Sequence, residues 1–542
     1  MEKSENLLAD AKRRKYTLAA LVASMVFAVI CIITGAVLST SIHPGSTVKV
    51  HSIVPILSPT TGTTKIPMIS LIFSIIATIF TEIIGFAHFT SLRSILIDEG
   101  RLDFNTNSRL FTAAKKGGWA HPNGRLMNAL MSLLLVMSYA SSELVVMRLF
   151  DEEAPVIDGM VGYRAGLSTS PIIIFGLSLF LQGIISLFGA YHCGLYWLES
   201  TSVLTTTKWQ TERNIIVRRQ HRCMRDVLQG QSTTPDPLEP SARQPSAWMA
   251  NPAVKKVVIV VWGLIPVYAL WGAIIYVLSI YVNTRVFESA NIATIGHGSQ
   301  KLSDISWAFL PNINTLSFGV SYNNADRRGL PSAGWALLLL VFMTMQSCLT
   351  LMLHYCEAII NTTRDEQVWR RAAGGRGVAI SQQGPLRATL SSWRNVFLLV
   401  AKSFYWMFGH SLTVEAAVVG YNFDGIEVVA TCAQLWYLSI VLVGFAIITT
   451  LIAIYKPHGP QPAAYGHFQT LADLIDEWPP EEPIPGNKLH PVLHWGHKSN
   501  KDGVCHAGTS SDKSLVHPVH MKGMYGGELD EESSSTANMQ SV

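Results

Sequence analysis

The sequence predicts an all-α, polytopic helical membrane protein with seven to eight transmembrane helices and a disordered polar C-terminal tail. Three observations predict it. About seven apolar stretches of the 542-residue chain are each long enough to cross a bilayer, because a hydrocarbon core of about 30 Å takes roughly 20 helical residues. Backbone groups in lipid must be satisfied within their own segment, which makes such stretches helices. Lys and Arg alternate between the intervening loops in the way that marks cytoplasmic sides.

Taken in order, segment 1–15 carries Lys12, Arg13, Arg14 and Lys15 ahead of the first span, Tyr16–Thr40. That apolar run exceeds the roughly 7–15 residues of a signal-peptide core, so it reads as a retained helix. The loop Ser41–Lys65 holds only Lys49 and Lys65, and the second span is Ile66–Phe89. Thr90–Arg125 is basic and precedes the third span, Leu126–Met147; the acidic Arg148–Ser170 follows it. The fourth span, Pro171–Trp197, leads into the strongly basic Leu198–Lys256, and the fifth, Val257–Val282, into the long mixed loop Asn283–Ala333. The sixth, Gly334–Ile360, ends at the basic Asn361–Arg394, and the last clear span is Val428–Tyr455. This alternation places the N-terminus in the cytoplasm. Plasma membrane and endomembrane are not distinguished by it.

One stretch stays ambiguous. Asn395–Val418 contains Lys402, His410 and Glu415, and a charge at mid-span costs about 2.5–3.5 kcal/mol on insertion scales. Crossing makes eight helices with the tail inside. An interfacial helix, with Lys402 snorkelling, leaves seven with the tail outside.

The spans divide into a first half, 16–228, and a second half, 257–455, joined by a Pro/Ser/Thr/Gln-rich linker over 229–256. Within the first half, Thr206–Leu228 reads as an amphipathic helix: Trp209, Ile216, Gln220, Cys223 and Val227 recur at helical spacing. Arg218, Arg222 and Arg225 share another face and are the candidates for anionic lipid headgroups, against the plainer reading of a solvated face that fixes topology. In the outer loop, Ile305–Leu310 and Thr315–Tyr322 suit a small ordered cap. The tail 456–542 begins with Pro457 and Pro462, offers a short amphipathic helix over Phe468–Trp478, and turns polar after Pro479, where disorder is expected.

Ionisable residues inside spans are the candidate chemistry. Counting about 1.5 Å per residue, Glu82 and Lys402 reach similar depth and are expected to form a buried ion pair. Glu143 and His410 share a depth in the outer half. Glu82, Glu143, Lys402 and His410 are therefore the polar-pathway candidates, set against the plainer reading of packed polar residues that hold helices together. His354 and Glu357 count to the inner interface. No P-loop, H-E-x-x-H, G-x-S-x-G or dinucleotide turn is present, so no catalytic residue is assigned. The tail histidines (His490, His494, His497, His506, His517, His520) are irregularly spaced, so no metal site and no cofactor are assigned. The seven cysteines avoid the outer loops and give no disulfide framework. No basic stretch interleaved with aromatics suggests nucleic acid.

Four stretches carry a family likeness: HFTSLRSILIDEGRLDFNTNSRLFTAAKKG from His88, LHYCEAIINTTRDEQVWRRA from Leu353, FLLVAKSFYWMFGHSL from Phe397 and GPQPAAYGHFQTLADLIDEW from Gly459. In these the chain resembles uncharacterised multi-pass membrane proteins of filamentous fungi. The resemblance implies a fungal source and a shared helical architecture, and carries no activity with it. The elaborated sequence outside the bilayer points to a binding, scaffold or sensor-type protein, with the bilayer, anionic lipids and cytoplasmic proteins as partners. The alternative is a secondary transporter or channel working through its intramembrane Glu, Lys and His.

Overall fold

The computed structural model describes residues 2–40, 53–55, 65–106, 110–115, 117–151, 156–157, 160–161, 163–192, 202–231, 236–288, 306–309, 315–323, 332–379, 393–403, 411–419, 422–479 and 492–527. Seven of its helices are long and apolar enough to cross a membrane. They are α1 (Glu2–Thr40), α2 (Lys65–Asp98), α3 (Arg125–Val145), α4 (Thr169–His192), α7 (Pro252–Glu288), α8 (Ser332–Tyr355, running on into α9, Glu357–Arg370) and α11 (Cys432–Ile454). Shorter helices are α5 (Val203–Glu212), α6 (Ala247–Ala250), α10 (Trp393–Ser403) and α12 (Phe468–Leu474).

The surfaces of these helices fit a lipid surround. Val22, Val26, Ile33 and Val37 of α1, and Leu337 and Leu340 of α8, point outward and are exposed. In water such a continuous apolar surface would drive aggregation. Exposed aromatics mark two levels: Tyr16, Tyr191, Trp393 and Tyr455 at one end of the bundle, Tyr281, Trp307 and Tyr322 at the other, as amphipathic rings do at bilayer interfaces. Helix α3 differs from its neighbours. It is the most enclosed span and the least hydropathic, and it buries Asn128, Ser138, Tyr139, Ser141, Ser142 and Glu143. It occupies the centre because only there do such side chains find partners.

The chain is not all-α. A six-stranded sheet, ordered β1-β5-β2-β8-β9-β6, closes the end of the bundle opposite the N-terminus. Its strands are β1 (Ile53–Pro55), β2 (Val146–Asp151), β5 (Tyr163–Ser168), β6 (Ser317–Asn323), β8 (Leu412–Val419) and β9 (Asn422–Thr431); the small hairpin β3–β4 (Val156–Ile157, Met160–Val161) is separate. All pairs are antiparallel except β2–β8. The strand residues are rich in Val, Thr and Ile and abut the spans, so their hydropathy merges with that of the helices. For that reason the third and last spans read too long from sequence: Val146 and Met147 belong to β2, and Val428–Thr431 to β9. Glu415 lies directly opposite Glu427 across β8–β9, and opposite Arg148 across β2–β8, with Arg148 Nη1 3.4 Å from Glu415 Oε1. Burial, and then the Glu415 charge, push Glu427 up to about 7.

Over its described residues the ambiguous stretch is not one span-length helix. It begins as α10, whose 11 residues cover about 16 Å, and it reaches β8 in the opposite-face sheet. Residues 404–410, including His410, lie outside the described residues. Between Trp393 and Leu412 the chain passes from one face to the other, so the chain returns through α11 to the face where it began.

On that N-terminal face a folded module gathers the described residues of 99–124, 202–250, 365–379, 456–479 and 492–527. Its core holds Trp369, Phe468, Leu471, Trp495 and Tyr525. A second sheet, β12-β11-β10-β7, is built from β7 (Val378–Ala379), β10 (Val492–Lys501), β11 (Val504–Ser510) and β12 (Met524–Tyr525). The expectation of disorder after Pro479 thus fails for 492–527, where buried Leu493, Trp495, Cys505 and Ala507 alternate as a strand pattern inside a polar composition. Nor is the 229–256 segment a free linker over its described part. Gln244 donates to Gly459 O and accepts from Ala463 N, and Tyr465 Oη donates to Pro245 O. Helix α12 starts at Phe468 as expected and stops at Leu474. The helix expected over 206–228 ends at Glu212, followed by left-handed Asn214 (φ 54°) and His221 (φ 60°).

Close helix contact rests on small residues. A Cβ on Gly176 of α4 would stand 2.6 Å from the Ala28 carbonyl oxygen of α1, the kind of approach that drives packing in lipid. Gly176→Val is expected to cost about 1–3 kcal/mol through overpacking, read as a lowered unfolding temperature in detergent.

Candidate functional site

Four helices bring four ionisable side chains together within the bundle. Lys402, near the end of α10, places its ammonium 2.7 Å from Glu82 Oε1 of α2 and 2.5 Å from Glu357 Oε1 of α9. His354, in the last turn of α8, sets Nδ1 3.2 Å from Glu357 Oε1 and 3.7 Å from Glu82 Oε1. The Lys402 side chain is 5% exposed and that of His354 2%, so the ammonium does not snorkel to the interface. Glu82 and Lys402 meet as their depths suggested. Glu357 and His354, which residue counting does not pair with them, complete the same cluster. Residue counting missed them because the helix through α8 and α9 is longer than a bilayer, so position along it does not fix depth. Their three-residue spacing, which puts both on one helix face, was the available signal.

Among the described residues the cluster holds two carboxylates, one ammonium and one imidazole. The ligand atoms of Glu82, His354 and Glu357 all lie within 4.8 Å of one another, close enough to hold a metal ion.

Glu143 is placed elsewhere, nearer the opposite-face sheet. It is buried and accepts a hydrogen bond from Ser74 Oγ at 3.2 Å. Between the two sites runs a polar seam of α2 and α3: Ser74, Thr78 and Thr81 face Tyr139, with Thr81 Oγ1 and Tyr139 Oη 3.2 Å apart. The Tyr139 ring lies 6.1 Å from that of His354. Towards the N-terminal face the same stripe of α2 continues with His88, bonded to Asn128 Oδ1 at 2.6 Å, and Ser91, donating to Asn123 Oδ1 at 3.0 Å. The signal for this seam was the 3–4 residue spacing of Ser70, Ser74, Thr78, Thr81, His88 and Ser91 within an otherwise apolar helix.

The N-terminal-face module grips the cluster through α9. Asp365 accepts from Asn105 Nδ2 at 2.8 Å. Glu366 accepts from the backbone amides of Ala464 (2.9 Å) and Tyr465 (2.8 Å), where Tyr465 (φ 47°) and Gly466 (φ 75°) turn successive N–H groups towards one carboxylate, an anion-holding nest. Trp369 Nε1 donates to Pro462 O at 2.9 Å. Over their described residues, the stretches that begin at His88, Leu353, Phe397 and Gly459 therefore meet around α9 and Lys402.

The basic candidates are held inside the module. Arg222 donates to Gly230 O and Arg225 to Asp236 O; Arg225 is buried and Arg218 half-buried. Their neighbour Arg219 forks onto Asp473, with Nη2 2.6 Å from Oδ2. Among the tail histidines, His497 meets His520 edge to face at 4.8 Å and lies 3.1 Å from Tyr525 Oη. Burial, then His520, His517 and His506, push its imidazole down. His490 lies outside the described residues.

His506 invites comparison with a catalytic histidine, since Asp476 and Cys223 flank it. Its Nε2 donates to Asp476 Oδ2 (3.0 Å) and its Nδ1 to Gly527 O (2.9 Å). Both acceptors demand a proton on the ring, which makes it an imidazolium. Burial alone would lower its pKa, but the bonds to Asp476 and Cys223 and the charges of both raise it to about 9. Asp476, also bonded by Thr509 and Lys498, is held well below the usual carboxylate range although burial opposes this.

No protein-family model, curated protein or solved structure matches the chain.

Two outcomes follow from the site and its support. Lys402→Met leaves two carboxylates facing each other in the bundle and should cost about 3–5 kcal/mol; adding Glu357→Gln should restore part of this, as read by thermal unfolding in detergent. Exchanging Glu82 and Lys402 should rescue poorly, because a carboxylate at 402 would face Glu357. For His506, whose folded pKa lies above the unfolded value of about 6.5, the contribution is complete below that pH and vanishes as pH rises through about 9. The advantage of wild type over His506→Asn, on the order of 2–3 kcal/mol, should shrink across that window.

Proposed function

We propose that this integral multi-pass membrane protein is a transporter or channel for a small solute or ion, with Glu82, Glu357, His354 and Lys402 as its binding site and the N-terminal face in the cytoplasm. The observation that carries the reading is the convergence of four ionisable groups from four helices, three of them with ligand atoms within 4.8 Å of one another. Ionisable groups gathered inside spans mark substrate and ion pathways. The attachment of α9 to the N-terminal-face module supports coupling between occupancy and that module.

The folded module itself favours a second reading, a scaffold or sensor whose partners bind at the N-terminal face. A thermal-unfolding screen of the purified protein against sugars, amino acids, metal ions and lipids separates the two. A ligand at 100 times its Kd should add about 2.7 kcal/mol. A small-solute shift abolished by Glu82→Gln or Glu357→Gln is expected. Shifts with anionic lipids alone, or none, would overturn the transport reading in favour of the scaffold.

A further inference from the structure

Glu143 stands apart from the charge cluster, yet the seam of α2 and α3 connects them. A cavity of about 40 Å³ lies beside Glu143 against β2 and β8 of the opposite-face sheet, where Ser70, Arg148 and Thr413 interrupt a mostly apolar lining; its volume would hold about three waters. Arg148 is the charged group sharing that cavity; it turns to Glu415, which in turn faces Glu427. Glu143 thus borders this cavity, and among the described residues its hydrogen bond comes from Ser74.

We propose that the coupling ion is the proton, taken up at Glu143 from the face opposite the N-terminus and relayed along Ser74, Thr78 and Tyr139 to the Glu82–His354 site. This rests on the transport reading and names its ion. Water in the cavity gives a proton to the Glu143 carboxylate. The resulting acid passes it to Ser74 Oγ, which releases its own proton towards Thr78, one helical turn further on; a hydroxyl rotation or one water closes that step. Thr78 and Thr81 both lie against the Tyr139 hydroxyl, which hands a proton to the cluster. A carboxylate or the imidazole there accepts it. Each hydroxyl gains one proton and loses one, so none changes state over a cycle. A hydrated metal ion has no such route: Ser74 is 0% exposed, Thr78 1%, Thr81 1% and Tyr139 2%, which leaves no bore. His88 and Ser91 continue the stripe towards the N-terminal face.

The test uses the full-length protein in liposomes loaded with a pH-sensitive dye, with a potassium diffusion potential driving protons inward. Wild type should acidify the lumen. Glu143→Gln and Tyr139→Phe, which preserve shape, should slow this on the order of a hundredfold while keeping the wild-type unfolding temperature. Glu143→Asp should recover part of the flux. Proton-tight wild-type vesicles, or undiminished flux in both folded variants, would overturn the relay. If the solute-dependent stabilisation lost in Glu82→Gln persisted in such a case, the transport reading would stand and only the proton would be wrong.

Discussion

A lysine ammonium buried at membrane depth is the constraint around which the helices are arranged. Removing a charge from water costs several kcal/mol even after relaxation, and in lipid no solvent can make up the loss. Lys402 is tolerable only if carboxylates from other helices reach it. Glu82 on α2 and Glu357 on α9 do so at 2.7 and 2.5 Å. That requirement fixes where α10 stands between α2 and the α8–α9 unit, and so joins the first half of the chain to the second.

The same helix that supplies Glu357 also supplies Asp365, Glu366 and Trp369 to the N-terminal-face module. Of the 14 residues of α9, Glu357 faces the charge cluster and Glu366, about 14 Å further along the helix, meets the backbone nest at Ala464 and Tyr465. A change of charge at Glu357 is therefore mechanically close to the loop 459–467. The module is stiffened further by the imidazolium–carboxylate pair of His506 and Asp476, so movement of α9 would be felt by a compact body and not absorbed by a slack tail.

Polar side chains are distributed by the same logic. Helix α3 is the least hydropathic of the spans and the most enclosed, with Glu143, Tyr139 and Asn128 each answered by α2. At the opposite face, backbone groups freed where helices stop are taken up by the six-stranded sheet. Its parallel pair, β2–β8, draws the strand after α3 beside the strand after α10, and so ties the two halves together a second time.

Much was legible in the residues alone. Span-length apolar runs must be helices wherever lipid is the solvent, and the loop charges order their directions. Glu82 and Lys402 could be matched because rise per residue converts position into depth. Three things were not legible. Strands at a membrane face, such as Leu412–Val419, carry the same apolar residues as the spans they adjoin. The hairpin Val492–Ser510 hides a small core in a polar, His-rich composition, and composition averages over the alternation that makes a strand. His354 and Glu357 belong to a helix longer than the bilayer, whose entry point no local pattern reveals. The sequence by itself determined that this chain lives in a membrane, because the bilayer's demand on backbone and side chains is local and acts on each segment separately. Only the tertiary structure decided which buried charges meet, because a charge buried in one helix is answered by residues hundreds of positions away, and which of them arrive is set by packing.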